Sequence, residues 1–340
     1  MRTPHRTRFL ATAALVCAWL LPAGLAAGAQ DSPPPGWTMP RTADGHPDLQ
    51  GVWGNNDATP LERPAQFAGK AVLGDVELAE LRRRVTEVLD GGDAVFGDDL
   101  IRSALAGGTE FRSFDRATGN YDQQWLVDRP VGNRTSLIID PPDGRLPPLT
   151  PEGEVSARER GLYRAAHPAD GPEDRSLSER CITFGLPNLL AGYNSYYEIL
   201  QGPDHVVIRT EMIHDARIVP LDGRPHLGED MRFWHGDSRG HWDGDTLVVD
   251  TRNFAPGTNF RGAGRNLHLT ERFTRVDRDT IHYDITIEDP TTWTRPWTVR
   301  LRLQRTDDPI FEYACHEGNV GMEGILSGHR VEEAEAQVSR

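Results

Sequence analysis

His214, His235, His241, His268, His282 and His316 crowd the C-terminal half of this 340-residue chain, with the acids Glu211, Asp215, Asp237, Asp243 and Asp245 close to them. Imidazoles beside carboxylates supply either general acid–base catalysis or metal ligation. No H-E-x-x-H, C-x-x-C or calcium-loop spacing is present, so the pattern gives no metal site and no cofactor is expected. Asp243 and Asp245 read more simply as turn residues. Glu271 is more informative, because strict alternation in LHLTERFTRV puts it on the face of Leu267, Leu269 and Phe273. A carboxylate on an apolar face is costly unless paired, and such burial opens its pKa to tuning. By the same parity His214 shares a face with Met212, Ala216 and Ile218. His214 and Glu271 are therefore the expected base and acid of any catalytic site, with Arg217, Trp293 or His316 orienting a substrate. A structural pairing of Glu271 with an arginine is the competing reading. Gly236-Asp237-Ser238-Arg239-Gly240 matches G-x-S-x-G, but a turn and a strand follow it where a nucleophile elbow needs a helix.

These side chains must be carried by strands. GHWDGDTLVVDTRNF, residues 240–254, is a turn opening an alternating run, and the same grammar recurs in LHLTERFTRV, TIHYDITIEDP, WTVRLRLQRT and IFEYACHEG. Earlier strands are expected over Ser136–Asp140, Tyr196–Gln201, His205–Ile213 and Arg217–Leu221. The fold class is mainly β: a single antiparallel barrel of about eight to ten strands over residues 47–330. Gly51-Val52-Trp53 is a G-x-W triplet whose indole can close one barrel end, and Trp293 and Trp297 can line a mouth. Trp53, Trp293, Trp297, Asn253 and His268 are the expected ligand-binding residues. The spacing of Leu78, Leu81, Val85, Val88 and Leu89 predicts a helix over 75–90 that caps on Asp75 and packs on the sheet. A short helix is expected over Pro151–Ala166. Residues 91–134, rich in Gly and Asp, read as an irregular wrapping arm.

Arg2, Arg6 and Arg8 precede an apolar run from Phe9 to Leu25 and the small residues Ala27-Gly28-Ala29, the pattern of a secretory signal peptide over residues 1–29. Residues 30–46 then form a linker and 331–340 a tail. Removing three arginines and no acids takes the net charge of −14 further negative, which argues against nucleic-acid or anionic-membrane partners. Periplasmic or secreted location follows, with no membrane association after cleavage. Cys181 and Cys315 are the two cysteines beyond the leader, and an oxidising compartment lets such a pair close.

PDLQGVWG, TPLERP, the SERC segment, EMIHDARIVPLDGRPH, GDSRGHWDGDTLVVDTRNF, NLHLTERFTRVDRDTI, EDPTTWTRPW and FEYACHEGN together resemble a widespread family of exported bacterial hypothetical proteins. The resemblance implies an exported β-rich protein and little about chemistry. The C-terminal strands also resemble lipocalin-like barrels, which implies an internal pocket for an apolar small molecule. The functional expectation is thus an exported binder of a small, largely apolar ligand. The alternative is a cofactor-independent acid–base enzyme (hydrolase, lyase or isomerase) using the His214/Glu271 pair.

Overall fold

A computed structural model describes residues 35–90, 95, 98–107 and 126–338. The leader over 1–29 and most of the 91–134 arm lie outside the described residues. In chain order the elements are β1 Gly51–Gly54, α1 Asp75–Leu89, α2 Asp99–Ala106, β2 Ile138–Asp140, α3 Pro151–Ala166, β3 Tyr196–Gln201, β4 His205–Thr210, β5 Ala216–Pro220, β6 Asp237–Asp243, β7 Thr246–Arg252, β8 His268–Arg275, β9 Thr280–Glu288, β10 Trp297–Thr306 and α4 Gly321–Val338.

All ladders are antiparallel, in one 10-stranded sheet of order β5-β4-β3-β1-β10-β9-β8-β7-β6, with β2 pairing on β10. Strict alternation makes the inner face: in β8, Leu269, Glu271, Phe273 and Arg275 are buried while His268, Thr270, Arg272 and Thr274 are only half-buried. Leu247, Val249, Tyr283, Ile285, Leu301 and Leu303 join them in the core.

The expected closed barrel is not what the sheet forms. Its two edges, β5 and β6, share no ladder among the described residues, so the sheet is curled but open. At Gly240 of β6 a Cβ would fall 2.8 Å from Val219 Cγ1 and 2.7 Å from Leu221 Cδ2. The edges therefore meet through β5-side apolar side chains wedged against bare backbone, which separates the strands too far for backbone bonding. Trp53 fills one end of the curl, its Nε1 donating to the Leu49 carbonyl at 2.9 Å with the guanidinium carbons of Arg275 and Arg305 5.4 and 5.9 Å from its ring. Gly51 of the same triplet takes φ +126°, a conformation other residues rarely adopt.

Two helical expectations are corrected. The expected helix is present as α1 but caps on Gly74, and it packs on α2 rather than on the sheet. Leu81, Val85 and Val88 meet Leu100, Ile101 and Ala104 in a second, smaller core with Ala58 and Val131. That α2 lies inside the stretch expected to be irregular. Its apolar positions Leu100, Ile101 and Ala104 share one helical face, but in a Gly/Asp-rich setting the run is too short to stand out.

Candidate functional site: a tryptophan-walled groove at the open edge

Glu271 sits on the inner face opposite Val249 of β7 and Ile285 of β9, and the diagonal neighbours Thr251 and Tyr283 point into the same space. Its carboxylate is fully buried. Oε2 accepts from Arg217 Nη1 at 2.7 Å and Thr251 Oγ1 at 3.3 Å, and Oε1 from Arg217 Nη2 at 2.8 Å and Tyr283 OH at 2.5 Å. Burial works against charge on Arg217, but the Glu271 charge and its hydrogen bonds outweigh this and hold the guanidinium ionised. Burial, then the same carboxylate, push the Tyr283 hydroxyl well above the usual tyrosine range. Four donors occupy the lone-pair sites of this carboxylate, so it has no capacity left for a substrate proton. The competing reading, a structural ion pair with an arginine, describes the geometry.

His214 does not join it. The expected strand His205–Ile213 ends at Thr210, and a turn follows in which Ile213 and His214 take φ +55° and +45°. That turn resets the alternation: Ala216 and Ile218 of β5 face outward, Arg217 and Val219 inward. His214 is exposed, with Nδ1 3.0 Å from the Tyr313 carbonyl. His316 is also exposed, next to the Cys181–Cys315 disulfide, whose Cα atoms are 5.6 Å apart.

Trp293 and Trp297 are buried edge to face with ring centroids 5.4 Å apart, and Phe260 stacks on Trp297, so they make a packed corner and not a mouth. Trp53 likewise is core. Asn253 and His268 do come together, beside a shallow depression of about 270 Å³ on the outer face. His268 Nε2 lies 2.6 Å from Asp250 Oδ2, while His226 Nε2 lies 2.7 Å from Asp250 Oδ1 and His226 Nδ1 3.0 Å from Asp237 Oδ2. Burial raises the Asp250 pKa, but His268 and Arg252 overcome it and hold the carboxyl well below the usual range. With Asn253 Nδ2 donating to the Leu227 carbonyl at 2.9 Å, these contacts clamp the crossing segment 222–236 onto β6 and β7.

What that segment carries is the groove. Between β5 and β6 lies a cavity of about 660 Å³ floored by Arg217 and Ser238 and walled by Ile218, Leu227, Phe233 and Trp234. Behind Trp234 a second cavity, about 650 Å³, opens toward Phe184, Arg180 and Phe260. Trp234 thus stands between the two with 40% of its surface exposed, and Ile218 beside it is 68% exposed. Thr183 joins the walls: its hydroxyl donates to Asp215 Oδ2 at 2.8 Å and lies 2.5 Å from His235 Nε2. A hydroxyl that gives its proton to Asp215 meets His235 as an acceptor, so Nε2 carries hydrogen and cannot serve as a base toward Thr183. The Thr183 network is a brace, not a nucleophile. The disulfide holds the loop before it, at Cys181.

Sequence reasoning passed over Phe233, Trp234 and Thr183, and named Asp215 only as one of the acids near the histidines. The one signal was FWH at 233–235, a bulky apolar pair ahead of a turn with no alternation to bury it. No protein-family model, curated protein or solved structure matches the chain.

Proposed function

We propose that this is an exported protein that binds a small, largely apolar molecule at the Trp234 groove. The observation that carries the reading is Trp234 itself, a half-exposed indole standing between two cavities of about 660 and 650 Å³, a size suited to a drug-sized ligand. Phe233, Leu227 and Ile218 extend the apolar wall, and Arg217, Ser238 and His235 give it a polar floor that can orient one end of the ligand. The lipocalin-like expectation of an internal site gives way to an edge site, because the inner face is filled by Trp53, Phe273, Tyr283 and the aliphatic core. Export is supported by the N-terminal pattern and the disulfide; among the described residues no helix is long and apolar enough to cross a membrane. The acid–base alternative lacks support from Glu271, whose oxygens are taken, and from His214, which faces away.

The test is a fluorescence titration with 8-anilinonaphthalene-1-sulfonate, an aromatic anion of suitable size. Saturable binding that weakens at least tenfold in Trp234→Ala, with an unchanged circular-dichroism spectrum, is expected. Equal binding by the variant overturns the site.

A further inference from the structure

No residue of the C-terminal helix α4 is fully buried, and its polar contacts converge on Asp170 in the loop after α3. Arg330 donates through Nη1 to the Asp170 carbonyl at 3.0 Å and through Nη2 to the Ala169 carbonyl at 3.3 Å. One helical position earlier, His329 points its Nε2 at two carboxylates at once, 3.4 Å from Asp170 Oδ1 and 3.4 Å from Glu333 Oε1. The donor atoms of the three residues all lie within 4.8 Å of one another.

We infer that Asp170, His329 and Glu333 form a binding site for a zinc-class divalent ion that pins α4 to the loop after α3. Separations of 3.4 Å are long for N–H···O hydrogen bonds, which favour about 2.7–3.2 Å. They equal the edge of a tetrahedron around an ion with bonds of about 2.0–2.1 Å to nitrogen and oxygen. The other oxygen of each carboxylate is already held. His167 Nδ1 lies 2.6 Å from Asp170 Oδ2, and Arg330 holds Glu333 by both oxygens, Nε 2.8 Å from Oε2 and Nη2 donating to Oε1 at 3.0 Å. Asp170 is thereby turned so that Oδ1 faces His329, and Arg330 fixes Glu333 while Oε1 keeps a second lone pair, the arrangement in which outer partners orient metal ligands. His329 and Glu333 are four residues apart on one helix face, and Asp170 supplies the long-range third ligand.

One imidazole nitrogen with two carboxylate oxygens suits zinc, cobalt or nickel over calcium or magnesium, which take six or more oxygens. Asp170 and Glu333 are 46% and 43% exposed, leaving the fourth position open to water. Arg330 offsets part of the negative charge around the ion.

The experiment is isothermal titration of the full exported chain, first dialysed against EDTA, with zinc chloride at pH 7. One ion per chain is expected. His329→Ala and Glu333→Gln should each weaken it at least tenfold, whereas His241→Ala, an exposed histidine on β6, leaves it unchanged. Calcium chloride should give no heat above dilution. Since no residue of α4 is fully buried, both variants should keep the native circular-dichroism spectrum. Absence of a stoichiometric zinc site in the unmutated chain overturns the inference, and so does full-affinity binding by His329→Ala. Failure here leaves the Trp234 groove untouched, because the two tests share no residue or probe.

Discussion

Arg217, on the edge strand β5, and Glu271, on β8 two strands in from the opposite edge, meet through two hydrogen bonds of 2.7 and 2.8 Å inside the curled sheet. Where backbone ladders leave the curl open, this pair joins its two ends through the interior. A buried ion pair adds little net stability over apolar packing, but removing one partner strands a charge. Glu271→Gln or Arg217→Leu alone should therefore cost about 3–5 kcal/mol in urea denaturation, and the double replacement Arg217→Met/Glu271→Leu should recover most of that. Single variants within about 0.5 kcal/mol of the parent would mean that the pair is not closed in solution.

The disulfide spans a sequence separation of 134 residues and anchors the loop that carries Thr183. In the chain-entropy account such a closure contributes roughly 4–5 kcal/mol. Intact mass should fall by two hydrogens relative to the reduced chain, and Cys181→Ser/Cys315→Ser should lower the unfolding midpoint and weaken dye binding at the groove together. Two free thiols in protein recovered from the periplasm would rule the bridge out.

Asp250 predicts the acid response of the clamp. Its folded pKa is depressed, so the stability it contributes is fully present above the unfolded value near 3.9 and is lost as pH falls through about 4 toward the folded value. Asp250→Asn should cost about 1–3 kcal/mol at pH 7. The difference in melting temperature between parent and variant should hold from pH 7 to about 5 and begin to narrow as pH falls below about 4, and a difference that widens toward acid would contradict the assignment.

Leu81 is buried between α1 and α2 in the smaller core. Leu81→Ala should cost about 2–3 kcal/mol locally, at the low end for a buried leucine because a two-helix core can collapse around the gap. Hydrogen exchange should quicken in α1 and α2 while the amides of β8 and β9 keep their protection. Uniform acceleration across the sheet would instead place the helices in one cooperative unit with it.

Much of the local structure was legible because it is written in short-range periods. Alternation with period two located β8, β9 and β10 and put Glu271 indoors, and 3.6-residue spacing located α1. The leader pattern and the cysteine count together named the cysteine pair. Those signals say which way a side chain faces, never what it meets. That Glu271 finds Arg217 and not His214 was decided by a turn in which two non-glycine residues, Ile213 and His214, take positive φ, a conformation their types do not announce. That the sheet stays open, and so makes a groove, depends on Val219 and Leu221 packing against Gly240 from the far edge. Trp234 stands half-exposed, and Asp170 lies beside His329, only because strands and helices distant in sequence are stacked together. Pairing across such distances is set by the whole core at once, through strand order and register that no local period encodes.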